Sequence, residues 1–210
     1  MSTNESKCVI WSDFGGVLTY PVAPAMEIFC EKRGITREML LKAMADVAQE
    51  LGVGDPMEPI DRALVPEDVW LRRLEGLVNV TLPSKTLADE WFKDRPVNEK
   101  WRDELSSLGR QGYLVGMLSN MPPAWDAYWR DMINPDELFD FVVLSHEFGL
   151  RKPESDFFLV AEMVADSKSS RNILVDDLEK NCEGAEAVGW EAIHFIDTEK
   201  TIIELQSLIG

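Results

Sequence analysis

Cysteine is scarce in this chain: three occur in 210 residues, Cys8, Cys30 and Cys182, with no C-x-x-C pair among them. An odd, scattered set excludes a disulfide scaffold and a cysteine-based metal finger, and reads as reduced, packed thiols. Positive charge is also short. Against 38 Asp and Glu stand 21 Lys and Arg, a formal net charge of −17. Such a surface repels phosphate backbones and anionic lipid, so neither nucleic acid nor membrane is an expected partner. No apolar run approaches the ~18 residues that a membrane span needs. The opening MSTNESK has neither the basic start nor the apolar stretch of a signal peptide. The expectation is a cytoplasmic protein acting on a small molecule. Its 45% of hydrophobic residues suffices for a sizeable core.

Five short runs rich in Val, Ile, Leu and Phe stand out, at residues 8–11, 113–118, 141–144, 172–175 and 192–196. They show little alternation, as strands covered on both faces should. Helical stretches separate the later runs. Residues 98–111 start at a capping Asn98 and stop at Gly112, and Pro122 and Pro123 open 124–133. Pro153 opens a helix to about residue 165, 179–188 ends at Gly189, and 198–208 follows a capping Asp197. This order predicts an α/β fold: a Rossmann-like parallel sheet with helices on both faces. Between the first strand and Asn98 no convincing strand occurs. Helices are expected there at 24–33, 36–51, 66–80 and 84–93, an all-helical insertion over the start of the sheet. The chain therefore divides into a core of 1–19 and 96–210 and an insertion of 20–95.

Ligands of open parallel sheets bind beyond the carboxyl ends of the strands. The first strand is followed by Ser12-Asp13-Phe14-Gly15-Gly16-Val17-Leu18 and the second by Ser119-Asn120. The third leads through His146 and Glu147 to Arg151-Lys152-Pro153, and the fourth ends in Asp176-Asp177. Each segment alone is commonplace: a glycine turn, a cap, an acidic loop. Together they deliver a carboxylate, a hydroxyl, an ammonium and a carboxylate pair to one edge.

The set Asp13-Phe14-Gly15-Gly16-Val17, Ser119-Asn120, Lys152-Pro153 and Val175-Asp176-Asp177 resembles the four signature motifs of the haloacid dehalogenase superfamily, over residues 8–196. The stretch 173–181 with Gly189-Trp190 is similar to the subgroup containing the phosphatase domain of bifunctional epoxide hydrolases. The resemblance implies that 20–95 is a small all-helical cap domain closing over the substrate. It implies Asp13 as the nucleophile of an aspartyl-phosphate mechanism, with Ser119 and Lys152 holding the transferring group. Backbone N–H groups of Phe14, Gly15 and Asn120 would complete the phosphate cradle. Three carboxylates at one edge repel unless a cation lies among them. By resemblance that cation is Mg²⁺, on Asp13, the Gly15 carbonyl and Asp177, with Asp176 direct or through water.

One departure bears on activity. Family phosphatases carry a second Asp two residues after the nucleophile, as general acid and base; here that position is Gly15. Such a group is typically worth 10²–10⁴-fold, or about 3–5 kcal/mol of barrier. The later Asp of the family's usual acidic set is here Asn181. The expected activity is thus a weak Mg²⁺-dependent phosphatase of small phosphorylated or activated compounds. Two alternatives stand beside it: a non-catalytic phosphate-binding protein, and a 2-haloacid dehalogenase, against which Asp176-Asp177 weighs. A φ > 0 at Gly15 would bar a side chain there. Bland roles are expected elsewhere. His146 is structural or exposed, His194 packs in the last strand, and Trp125 and Trp129 share a buried helix face, with lining of the substrate entrance as their alternative role. Trp70, Trp91, Met39 and Met44 fall in the insertion, where an apolar pocket and packing between its helices explain them equally well, and Cys182, with no base near it in sequence, is no nucleophile.

Overall fold

The computed structural model describes residues 8–83, 85–166 and 171–210. The chain opens with β1 (Val9–Ser12) and passes through α1 (Ala23–Glu31), α2 (Arg37–Glu50), α3 (Glu58–Asp61), α4 (Glu67–Val78) and α5 (Ala88–Trp91). Then come α6 (Glu99–Arg110), β2 (Leu114–Ser119), a 3-10 turn (Pro123–Trp125), α7 (Asp126–Ile133), α8 (Pro135–Leu138) and β3 (Phe141–Leu144). The last elements are α9 (Ser145–Phe148), α10 (Ser155–Val164), β4 (Asn172–Asp176), α11 (Glu179–Ala187), β5 (Glu191–His194) and α12 (Thr198–Ile209). The strands lie in the order β3-β2-β1-β4-β5, every neighbouring pair parallel. This is the α/β class expected from the sequence. It puts β1 at the centre and its carboxyl end between those of β2 and β4, where ligands bind in open sheets.

Both faces of β1 are buried, so its four residues read as one apolar run. Val9 and Trp11 face a layer of Leu118, Phe157, Phe158, Leu174 and Trp190, while Ile10 joins the larger core with Trp101, Met117 and Val175. Trp11 stacks on Trp190 with ring centres 5.8 Å apart and donates its indole N–H to Asn172 Oδ1 at 3.0 Å. Its six-membered ring lies over Gly116, its register partner on β2, where a Cβ would come within 2.4 Å. Only hydrogen fits there.

Several boundaries differ from the expected ones. The expected helix 124–133 begins as a 3-10 turn and is α-helical only from Asp126. Pro153 precedes α10, whose N-cap is Glu154. Ser84 lies outside the described residues, and the helix expected from it is reduced to α5, four residues long. Helices α3, α8 and α9, also of four residues each, were not anticipated. His194 corrects a packing expectation. It ends β5, an edge strand, and is exposed, its Nε2 hydrogen-bonding the Asp177 carbonyl at 3.1 Å.

The segment carrying α1–α5 leaves and rejoins the sheet at one place. Tyr20 N donates to Pro96 O at 3.2 Å and Asn98 N to Leu18 O at 2.8 Å, with a bridge between Thr19 and Val97. Its helices lie over the carboxyl ends of the strands and are bolted to the loops that follow β2, β3 and β4. Ser145 Oγ donates to Asp61 O at 2.6 Å, and Arg62 Nε to Gly149 O at 2.8 Å. Arg151 pairs with Asp61 at 3.0 Å and Asp55 at 3.1 Å, and Lys180 with Asp55 at 2.8 Å. The Trp125 indole donates to buried Glu67 of α4 at 3.1 Å. Burial pushes the Asp61 carboxyl up to about 7, against the opposing pull of Arg151.

Two outcomes follow from this packing. Gly116→Ala should cost about 1–3 kcal/mol in chemical denaturation, because the added methyl meets the Trp11 ring. Asp61 holds a proton in the fold at pH values where the unfolded chain has lost it, so its contribution is present near pH 4 and lost as pH rises to about 7. Stability of Asp61→Asn relative to wild type should therefore rise over that window; a constant difference would refute the shift.

Candidate active site

The site begins where β1 ends. The Asp13 N–H donates to Val175 O at 2.9 Å, which extends the β1–β4 ladder and sets Asp13 beside Asp176. The turn behind Asp13 closes through Gly16 N to Thr19 O and Thr19 N to Phe14 O, both 2.9 Å. Gly16 stands at φ +91°, and a Cβ on it would lie 2.2 Å from Asp177 Oδ2. The positive φ that would bar a side chain at Gly15 occurs instead at Gly16. Gly15 lies outside the left-handed region, and a Cβ there would meet only Arg95 Nη2, at an ordinary 3.5 Å.

Lys152 arrives from the loop after β3. The Asn120 side chain clamps the backbone there, accepting from Lys152 N at 2.8 Å and donating to Lys152 O at 3.0 Å. The Lys152 ammonium is then buried between two carboxylates, 2.8 Å from Asp13 Oδ1 and 2.5 Å from Asp176 Oδ2. Burial alone would depress its pKa; Asp13 and Asp176 outweigh burial and raise it, so the ammonium stays charged. Asp176 Oδ1 accepts from Leu178 N and Asn181 Nδ2, each at 2.9 Å, which starts α11 and fixes the carboxylate.

The remaining charge is unbalanced. Asp13, Asp176 and Asp177 each offer an oxygen, all within 4.8 Å of one another. Three carboxylates face one ammonium. Burial, then Asp13 and Asp176, push the Asp177 carboxyl up to about 7, and burial raises Asp13 against the pull of Lys152. An oxygen-only donor set with excess negative charge fits a hard divalent cation such as Mg²⁺.

Asp13, Phe14, Gly15, Ser119, Asn120, Lys152 and Asp177 line one cavity of about 360 Å³; Asp176 lies fully buried beneath it. The outer wall is aromatic. Phe92 stacks on Phe14 at 6.0 Å and meets Trp125 edge-on at 5.4 Å, while Trp91 meets Trp125 at 5.8 Å. Trp125 and Trp91 are therefore core residues and cavity lining at once. The other expected bland residues stay apart. Trp129 and Trp70 are buried, Met44 is buried and Met39 exposed. His146 Nδ1 hydrogen-bonds the Met121 carbonyl at 2.8 Å, and buried Cys182 has its thiol pushed up to about 12 by burial.

Sequence reasoning missed Asp61 and Arg95, both lining this cavity. Half-buried Arg95 precedes α6, and its Nε donates to Tyr20 O at 2.8 Å. Its guanidinium lies 5.8 Å from the Phe14 ring centre and 5.6 Å from that of Phe92. Burial lowers its pKa to about 10, with Asp13 and Asp177 pulling the other way.

No protein-family model matches the chain. Among curated proteins it is 34% identical over 106 residues to sesquiterpene phosphatase astK of Aspergillus oryzae, a match covering 50% of this chain and 54% of that one. It is 23% identical over 217 residues to bifunctional epoxide hydrolase 2 of Rattus norvegicus, covering 94% of this chain and 38% of that one. The chain thus spans about half or less of the length of these relatives. Among solved structures, a HAD family enzyme of Bacteroides thetaiotaomicron superposes with a TM-score of 0.68 at 18% identity, covering 90% of this chain and 93% of that one. That enzyme is also solved as a magnesium complex. The chain's structural neighbours are HAD family enzymes, and the chain shares their fold.

Proposed function

We propose that the chain is a Mg²⁺-dependent phosphohydrolase of small phosphate monoesters with an apolar organic part, working through an aspartyl-phosphate on Asp13. One observation carries the reading: a buried carboxylate, paired to Lys152 at 2.8 Å and clustered with Asp176 and Asp177, faces a cavity walled by aromatic rings. Asp13 attacks phosphorus, and Lys152 and Ser119 hold the non-bridging oxygens through the transfer. Lys152 also keeps Asp13 oriented and, through Asp176, is itself kept in place. Asp13, Asp177 and the Gly15 carbonyl would hold the cation, with Asp176 behind them. When bound, Mg²⁺ neutralises charge on the carboxylates and on the phosphoryl oxygens.

The organic part of the ester lies against Phe14, Trp91, Phe92 and Trp125, which exclude water during transfer. We take α1–α5, residues 20–95, as the cap domain that supplies half of that wall. Water then hydrolyses the aspartyl-phosphate. With glycine at position 15, that position offers no carboxyl to protonate the leaving oxygen or activate that water, so turnover is slow. The names of the phosphatase relatives support the reaction class. Gly15 also favours a second reading, a phosphate-binding protein without turnover.

Magnesium should raise the melting temperature, by about 2.7 kcal/mol of added stability at a concentration 100-fold above its Kd. Asp177→Ala should cancel that shift. With 4-nitrophenyl phosphate, whose leaving group departs without a proton, turnover should require Mg²⁺ and vanish in Asp13→Asn. Metal binding without turnover of any ester would move the chain to the second reading.

A further inference from the structure

The position that lacks a carboxyl is not left to solvent. A Cβ on Gly15 would point at Arg95 Nη2, 3.5 Å away, so the guanidinium stands beside the space that a side chain at residue 15 would enter. Arg95 is held there from two sides. Its Nε is committed to Tyr20 O at 2.8 Å, and its planar head lies near the Phe14 and Phe92 rings. The two terminal nitrogens have no hydrogen-bond or ion-pair partner among the described residues. Arg95 lines the cavity together with Asp13 and Asp177, whose charges act on it, and its Nη2 is the atom beside Gly15. A half-buried, aligned cation with free donors next to a nucleophile is arranged for an anion that forms during reaction.

We propose that Arg95 is a catalytic residue that meets the leaving oxygen of the ester, supplying charge and a hydrogen bond where a carboxylic acid would supply a proton. The assignment rests on the phosphohydrolase reading. In the first step an Asp13 oxygen forms its bond to phosphorus as the bond from phosphorus to the ester oxygen breaks. That oxygen keeps the electron pair and becomes an alkoxide or aryloxide. Arg95 donates to it without losing its own proton, and the oxyanion then takes a proton from water, leaving hydroxide. In the second step water attacks the phosphorus of the aspartyl-phosphate, the bond from phosphorus to the Asp13 oxygen breaks and returns the carboxylate, and the proton released with phosphate neutralises that hydroxide, so the protein's charge is restored over the cycle. Removal of one preorganised oxyanion donor typically costs 10²–10³-fold. That loss should fall on esters whose leaving oxygen concentrates charge. It should spare a nitrophenolate, whose ring spreads it.

The test compares wild type, Arg95→Gln and Arg95→Lys at saturating Mg²⁺ on 4-nitrophenyl, phenyl and alkyl phosphates, reading kcat and KM separately. For Arg95→Gln the loss in kcat should grow from under about 3-fold on 4-nitrophenyl phosphate to about 10²–10³-fold on the alkyl ester. Arg95→Lys keeps charge without the fork and should fall between, with the same trend. If the Gln variant fails a thermal-melt control, the trend in the Lys variant decides alone. A loss that is flat across the series, or confined to KM, overturns the assignment while leaving the phosphohydrolase reading standing. Absence of wild-type turnover on every ester defeats both.

Discussion

The buried ammonium of Lys152 is the contact on which the site depends. It is 1% exposed, and it touches Asp13 at the end of β1 and Asp176 at the end of β4. Burying any one of these charges alone would cost several kcal/mol. Removing one partner leaves the others uncompensated, so the trio stands or falls together. The geometry that permits it comes from the sheet. Strands β1 and β4 are register neighbours, and Asp13 extends their ladder through Val175. The third member is brought in from beyond β3, three positions from β4 with β2 and β1 between them, and the double hydrogen bond between the Asn120 side chain and the Lys152 backbone completes that reach.

Lys152 also sets what the site still needs. Its single positive charge is spent on two carboxylates, so Asp177 faces them unpaired, and burial together with Asp13 and Asp176 raises its pKa. A divalent cation satisfies that excess better than a second lysine, since it takes several oxygens at once. Two further basic groups near the cavity, buried Arg151 and exposed Lys180, are engaged elsewhere. Arg151 and Lys180 pair with Asp55, and Arg151 also with Asp61, which ties the helical segment to the core without touching Asp13. Charge at the cavity is thus partitioned: one set fastens the layers together, another faces the chemistry.

The strand-end residues were legible because a parallel sheet converts sequence position into spatial position. Whatever follows a buried apolar run lands at one edge, so Asp13, Ser119, Lys152 and Asp177 declare themselves from four short segments. Features that depend on packing between segments did not. Arg95 sits in Lys93-Asp94-Arg95-Pro96, a stretch with no period and no motif; its importance comes from a return of the chain beside Tyr20. Asp61 lies in a four-residue helix, too short to show a 3.6-residue pattern. Gly15 and Gly16 are equivalent on paper. Only the approach of Asp177 to the second of them distinguishes the glycine that must remain glycine. His194 failed for the converse reason: its run is apolar, but sequence does not reveal that the strand lies at the edge and ends in solvent.

The pairing of Gly15 with Arg95 is best understood as one feature rather than a loss and a coincidence. A carboxyl grown from residue 15 would find Arg95 Nη2 within van der Waals distance of its own Cβ, and an ion pair would follow. A carboxylate so paired has its pKa lowered and is a poor proton donor near neutral pH. An acid at residue 15 and a guanidinium at residue 95 are therefore competing solutions for the same space, and a chain that carries the second gains little from the first. A guanidinium stabilises developing charge without depending on its own titration. On the proposed phosphohydrolase reading, such a site favours substrates whose leaving oxygen is already stabilised, in a cavity whose apolar walls strengthen every remaining electrostatic contact.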